Sequence, residues 1–80
     1  MDEPAFIIPR YTKHARNMAA MRKIELPEIL SIKDMELLEV EKNLYTFGQP
    51  GRYGKFNIFV VDLAKSVVVT LYEKNIPKWR

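Results

Sequence analysis

The chain has 80 residues, of which 48% are hydrophobic, none is cysteine and one is histidine. This length suits one small domain spanning residues 1–80, and the composition argues against disulfides, thiolate chemistry and a protein-built zinc site, so we expect no metal and no cofactor. Lys and Arg number 13 against 10 Asp and Glu, and the resulting net charge of +3 permits nucleic-acid binding without requiring it.

The apolar runs of the chain are far shorter than the ~20 residues that a transmembrane helix needs. Asp2, Glu3 and Pro4 stand where a secretory leader would be basic. We therefore expect a cytoplasmic protein that has no membrane partner.

The first part of the chain predicts an extended segment followed by two helices. In "MDEPAFIIPRY" two prolines bracket an apolar run, which indicates a short edge strand or an ordered arm. Thr12 is a suitable N-cap, and apolar residues from Ala15 onward recur at three- and four-residue steps, so a first helix is predicted at residues 13–23. Pro27 fits the first turn of a second short helix within "ELPEILSIKDM".

The rest of the chain predicts strands. "MELLEVEKNLYTF" alternates in part and is interpreted as a hairpin that turns at Lys42 and Asn43. "GQPGRYGK" contains all 3 glycines and is predicted to be a loop. "FNIFVVDL" and "SVVVTLYE" are β-branched runs, which predict a hairpin with its turn near Ala64 and Lys65. "KNIPKWR" is a basic tail in which Trp79 either docks or stays exposed.

These elements predict an α+β fold. Two N-terminal helices are expected to pack on a curved antiparallel sheet of three to four strands.

His14 is the first candidate for a chemical role. With Thr12 as the N-cap, His14 lies in the first helical turn, where unpaired amides and the helix dipole disfavour a protonated imidazole. The positive charges of Lys13 and Arg16 also disfavour the protonated imidazole. A neutral imidazole can serve as the general base for a hydroxyl nucleophile. Since most isolated histidines have no catalytic role, the alternative is that His14 packs a polar edge on the sheet or faces water.

The last strand supplies further candidates. Period-two alternation predicts Val68, Thr70 and Tyr72 on one face, opposite a face that is wholly apolar. Arg52 and Lys55 lie in the loop that enters the neighbouring strand. A base, hydroxyl donors and cations are the groups that phosphodiester cleavage without a metal needs. The alternative is that the two hydroxyls belong to ordinary strand formers and the cations to a solvated loop.

The segments "YTKHARNMAAMRKI", "GRYGKF", "FVVD" and "VVVTLY" resemble a group of small bacterial domains. These domains are classed with RelE-like and BrnT-like toxins in the barnase, EndoU, colicin and RelE ribonuclease superfamily. The resemblance covers roughly residues 11–74. Carried over position by position, the family's helix histidine falls on His14 and its second helical arginine on Arg22. Its basic loop falls on Arg52 and Lys55. Its terminal threonine and tyrosine fall on Thr70 and Tyr72.

Two positions depart from the family pattern. Met18 stands where the family often has an arginine, which points to core packing. Lys23 stands where the family has a glycine that closes the first helix, which predicts a different helix ending.

The resemblance implies a metal-independent ribonuclease toxin. His14 would take the proton of a ribose 2′-hydroxyl, whose oxygen attacks the adjacent phosphorus and leaves a 2′,3′-cyclic phosphate. Thr70 and Tyr72 would donate to the non-bridging oxygens or protonate the leaving group. An antitoxin or immunity protein would neutralise the toxin.

The same resemblance implies RNA contacts outside the catalytic group. Arg22, Arg52 and Lys55 would hold the phosphates, and Tyr53 either stacks on a splayed base or packs over the hairpin. A neutralising protein would be acidic and would cover Arg52 and Lys55. The alternative function is a non-catalytic module of the same fold that binds RNA or a protein partner.

Overall fold

The computed structural model describes residues 6–75, which form one α-helix and a five-stranded mixed sheet. The helix α1 spans Lys13–Arg22. The strands are β1 Arg10–Tyr11, β2 Glu36–Glu41, β3 Leu44–Pro50, β4 Lys55–Asp62 and β5 Val67–Asn75. The α+β class is confirmed, whereas the expected two helices and three to four strands are wrong. Of the basic tail, Lys74 and Asn75 form the end of β5, whereas residues 76–80, which include Trp79, lie outside the described residues.

The sheet has the strand order β1-β5-β4-β3-β2. β1 runs parallel to β5, and every other neighbouring pair is antiparallel. Of the two alternatives for the N-terminal segment, an edge strand or an ordered arm, the structure has an edge strand at Arg10–Tyr11, where β1 lies at the end of this order directly after Pro9. The expectation of a fully antiparallel sheet is wrong, because β1 pairs with β5 in the parallel direction.

The helix α1 begins as its sequence predicts. Thr12 is the N-cap, and its Oγ1 accepts a hydrogen bond from the Ala15 amide at 3.0 Å. Ala15 and Ala19 are buried against the sheet, and Met18 packs on the same core, which confirms the core role inferred for Met18.

The end of α1 differs from the prediction. Lys23 adopts the left-handed conformation, with φ 55° and ψ 40°. The Ile24 amide donates to the Ala19 carbonyl at 2.9 Å, and the Lys23 amide donates to the Ala20 carbonyl at 3.3 Å. This is the helix ending that usually takes glycine. The lysine has therefore not changed the type of ending, although its Cβ makes the conformation less favourable.

The predicted second helix is absent from the described residues. The backbone around Leu30 is instead held by a bridge to Ile7, with two amide-to-carbonyl bonds of 2.9 Å. The Tyr11 hydroxyl donates to the Pro27 carbonyl. Because these tertiary contacts use backbone groups that a helix would pair internally, no α-helix forms here, Leu30 enters the core, and the segment contains only a short 3₁₀ turn at Ile32–Asp34.

Both predicted hairpins are confirmed. The β2–β3 turn falls at Lys42 and Asn43, and Lys42 has a positive φ of 55°. The β4–β5 turn occupies residues 63–66. The glycine-rich loop is shorter than predicted, because β3 continues through Pro50 and a 3₁₀ turn at Arg52–Gly54 leads directly into β4.

A bulge in β5 decides which side chains face α1. The register shifts between Val60 and Val61, so that Val60 pairs with Thr70 and Val61 with Val68, which leaves Val69 as an extra residue. The helix-facing core consists of Ile7, Ala15, Ala19, Leu30, Phe47, Phe59, Val61, Val68 and Leu71. Val68 was predicted to share a face with Thr70, and this is wrong because the bulge inverts the alternation.

Candidate nucleic-acid interface

Arg52 joins the β3–β4 connection to the end of α1. Its Nη2 donates to the carbonyl of Arg22 at 3.2 Å and to the carbonyl of Lys23 at 3.3 Å. Carbonyls at a helix C-terminus have no partner within the helix and carry partial negative charge. A guanidinium therefore suits this position both as a hydrogen-bond donor and as a cation.

Tyr53 extends from the same turn into solvent. Its side chain is 89% exposed, and the guanidinium carbon of Arg52 lies 5.8 Å from the centre of its ring. The Tyr53 backbone is left-handed, with φ 56° and ψ 35°. This conformation costs about 1 kcal/mol for a residue with a Cβ. Tyr53 thus adds backbone strain without adding a buried contact, and strained exposed residues are found disproportionately at functional sites.

Lys55 completes this group of side chains. It is the first residue of β4 and is exposed, and its carbonyl accepts from the Gly51 amide at 2.6 Å, which closes the loop. We refer to the group as the basic end cluster. It consists of Arg22, Lys23, Arg52, Tyr53 and Lys55.

The basic end cluster carries four cations and an exposed aromatic ring. Within residues 6–75, none of its four cations forms an ion pair. Glu73 lies on the helix-facing side of β5, in register with Asn57, and is the acid that β5 contributes at this end of the sheet. The four cations of the cluster therefore outnumber the acid that β5 contributes.

Three predicted RNA contacts are brought together here. Arg22, Arg52 and Tyr53 were inferred from separate stretches of sequence, and the Arg52 side chain links the two stretches through hydrogen bonds to the helix end. Lys55, which was also predicted to contact RNA, follows at the start of β4. Sequence reasoning missed Lys23 as a member, although its position next to Arg22 was a usable signal.

The predicted catalytic side chains are not brought together. His14 is exposed on α1, one residue before buried Ala15, so it lies on the helix side of the sheet. Thr70 pairs with Val60 and Tyr72 with Ile58, which places both on the opposite face from Leu71. The sheet therefore separates His14 from the two hydroxyls.

Thr70 and Tyr72 do share one face, as predicted, and both are partly buried there. Ile58 and Phe56 lie on the same face and are buried. The surroundings of the two hydroxyls thus include an apolar cluster rather than the predicted cations. A catalytic role for either residue stays a prediction.

Two further features bear on the type of site. Among the residues that the structure describes, no group of three or more His, Cys, Asp or Glu side chains is arranged to hold a metal ion. In the same part of the chain, no helix has the length and hydropathy needed to cross a membrane.

Comparison with protein-family models, with curated proteins and with solved structures gives no significant match to this chain.

Proposed function

We propose that this chain is a binding module for single-stranded RNA and that the basic end cluster is its contact surface. The observation that carries the proposal is the position of Arg52, which pairs with the end of α1 and lies against the exposed Tyr53 ring. Cations beside an exposed aromatic ring are the elements with which proteins hold an unpaired strand.

The exposure of Tyr53 favours a single strand over a duplex. An aromatic side chain can stack only on a base that has left its own stack, and such bases occur in single-stranded loops and ends. Arg22, Lys23 and Lys55 supply charge for the phosphates on either side of that base. Recognition of this kind depends little on sequence, because every base has a face on which a ring can stack.

The catalytic alternative has weaker support. Base catalysis by His14 with Thr70 and Tyr72 as donors requires all three groups at one phosphate, whereas the sheet lies between them. Membership of the RelE-like and BrnT-like group, cleavage of RNA and neutralisation by an antitoxin remain predictions from the sequence. An acidic neutralising protein would have to cover Arg52 and Lys55 to block the proposed surface.

The experiment that tests the proposal is a fluorescence anisotropy titration of a labelled single-stranded 12-mer RNA in the presence of a chelator. We expect the parent to bind and Arg52→Gln to bind roughly tenfold more weakly at low salt. Lys42→Gln is the matched control, because it removes one positive charge at the β2–β3 turn, at the other end of β3. A parent that binds no RNA at low salt would overturn the proposal.

The same samples separate binding from cleavage. We expect end-labelled RNA to stay intact after prolonged incubation with the parent. If the parent releases products ending in a 2′,3′-cyclic phosphate and His14→Ala does not, the non-catalytic proposal is wrong and the ribonuclease prediction is correct.

A further inference from the structure

A shallow cleft of about 440 Å³ lies at the start of α1, at the opposite end of the helix from the basic end cluster. Its lining consists of Pro9, Arg10, Tyr11, Thr12, Arg16 and Val67. Two of these residues are exposed arginines, and none is acidic. The Arg10 side chain donates through Nη2 to the Lys65 carbonyl at 3.3 Å, which holds its guanidinium near the β4–β5 turn.

The arginines of the cleft keep most of their hydrogen-bonding capacity. A guanidinium has five N–H donors, and Arg10 uses one nitrogen for Lys65. Arg16 forms no side-chain hydrogen bond or ion pair within residues 6–75. Two guanidiniums at the rim of a concave surface are suited to a phosphate, whose oxygens match their planar donor geometry.

A stripe along α1 connects this cleft to the basic end cluster. Lys13, Arg16 and Ala20 follow one another at steps of three and four residues, so they lie along one side of the helix, and Lys23 follows Arg22 as the left-handed residue that ends it. All four are exposed, three are cations, and α1 contains no acidic residue. The short side chain of Ala20 leaves room in the middle of the stripe for a polymer backbone to approach the helix.

We propose that the cleft binds a second phosphate of the same RNA strand, so that the strand runs along α1 from the basic end cluster to Arg10 and Arg16. This inference rests on the proposed function, and it gives the bound strand a path and a minimum length. The ligand of the cleft is a phosphodiester of a polymer and not a free phosphate.

The length of α1 sets the length of strand required. The helix has 10 residues, which at about 1.5 Å per residue corresponds to roughly 15 Å. A stacked strand advances about 3.4 Å per nucleotide, so roughly four or five nucleotides separate the two sites. A dinucleotide can reach only one of them, whereas a 12-mer can reach both.

The test compares these two ligands on the full chain. The 12-mer is titrated by fluorescence anisotropy at several salt concentrations, and a 5′-phosphorylated dinucleotide is titrated by amide chemical shifts. The cleft variant is Arg10→Gln with Arg16→Gln. The control is Lys33→Gln with Lys42→Gln, which removes two exposed charges before and after β2. A thermal melt of each variant verifies folding.

We expect the cleft variant to bind the 12-mer roughly tenfold more weakly and to lower the salt slope by about 0.7, since the cleft holds one phosphate and each phosphate contact on a single strand contributes about 0.7. Dinucleotide binding at the basic end cluster should not change. A cleft variant that binds the 12-mer like the parent, or one that weakens the dinucleotide equally, would overturn this inference alone.

Two other outcomes are also decisive. A parent that binds neither RNA overturns the proposed function together with this inference. Inorganic phosphate is titrated in the same way, by the chemical shifts of the cleft amides. If it binds the cleft as tightly as the 12-mer does, the cleft is a site for a small phosphate and the continuous path is wrong.

Discussion

Thr12 and Val69 are 57 residues apart in the chain and are joined by a hydrogen bond in which Thr12 Oγ1 donates to the Val69 carbonyl at 2.7 Å. The same oxygen accepts from the Ala15 amide. Val69 is the extra residue of the β5 bulge, whose backbone groups are displaced from the ladder with β4. One hydroxyl thus caps the helix and satisfies the bulge, so the two irregular features depend on each other.

Replacing Thr12 therefore removes two interactions at once. We expect Thr12→Ala to lower the free energy of unfolding by about 2 kcal/mol, which combines the loss of an N-cap with the loss of one further hydrogen bond. Thr12→Ser keeps the hydroxyl and should stay close to the parent. Urea denaturation monitored by circular dichroism measures both variants, and an unchanged midpoint for Thr12→Ala would refute the double role.

Tyr53→Gly separates stability from binding. Glycine accepts the left-handed conformation without strain, so this variant should be about as stable as the parent or more stable, by up to about 1 kcal/mol. RNA binding should weaken roughly tenfold, because one stacked base contributes about 1–3 kcal/mol. Thermal melting and anisotropy are measured on the same sample.

Tyr53→Phe is the control for that substitution. It keeps the ring and should bind RNA like the parent. If Tyr53→Gly binds RNA as tightly as Tyr53→Phe, the exposed ring has no part in recognition.

Arg52→Lys distinguishes the charge of Arg52 from its geometry. Lysine keeps the positive charge but cannot reproduce the planar contact with Tyr53 or donate to two carbonyls in the same arrangement. We expect a loss of stability below about 1 kcal/mol, since the bonds are exposed. RNA affinity should follow the order parent, Arg52→Lys, Arg52→Gln in anisotropy titrations. Equal affinities for the two variants would mean that the charge of Arg52 does not contribute.

Tyr11 makes stability depend on pH in the alkaline range. Burial raises the pKa of Tyr11 from its ordinary value of 10.0 to about 12 in the folded chain. Because the pKa is higher in the folded chain than in the unfolded chain, the contribution of Tyr11 to the free energy of unfolding is complete below pH 10. This contribution is lost as the pH rises to about 12. Urea midpoints of the parent should therefore fall more steeply between these values than those of Tyr11→Phe. Parallel curves for the parent and Tyr11→Phe would exclude this linkage.

His14→Ala tests the exposed position of the imidazole. Because the side chain is exposed and forms no hydrogen bond or ion pair within residues 6–75, we expect the free energy of unfolding to stay within about 0.5 kcal/mol of the parent. RNA affinity should change less than in Arg52→Gln. A large loss of stability would show that His14 packs against the sheet.

Local signals in the sequence accounted for several elements. Thr12 as a cap, the helical spacing after Ala15 and the β-branched runs of the last hairpin each act over a few residues, and they predicted α1 and both hairpins. The segment around Pro27 was misassigned because its conformation is set by distant partners, among them the Tyr11 hydroxyl. A helix-compatible pattern says nothing about such contacts.

For the candidate site, too, the sequence predicted local features but not the contacts between distant residues. The sequence predicted that Arg22, Arg52 and Tyr53 contact RNA, but the bond from Arg52 to the Arg22 carbonyl spans 30 positions and has no local signature. The face of Val68 was assigned wrongly because alternation assumes an unbroken strand, whereas the bulge adds a residue. His14 was grouped with Thr70 and Tyr72 by residue type, which carries no information about the sheet between them.

The parallel pairing of β1 with β5 has a consequence for the order of folding. Ala15 and Ala19 bury their side chains in a core that includes Val68 and Leu71 of the last strand, so α1 has little to cover until β5 is in place. The β4–β5 hairpin closes a short loop and is expected to form within about 1–10 μs, whereas joining β1 to β5 must close most of the chain. Docking of the helix should thus be a late event, and a chain interrupted before Val67 would leave its apolar side in water.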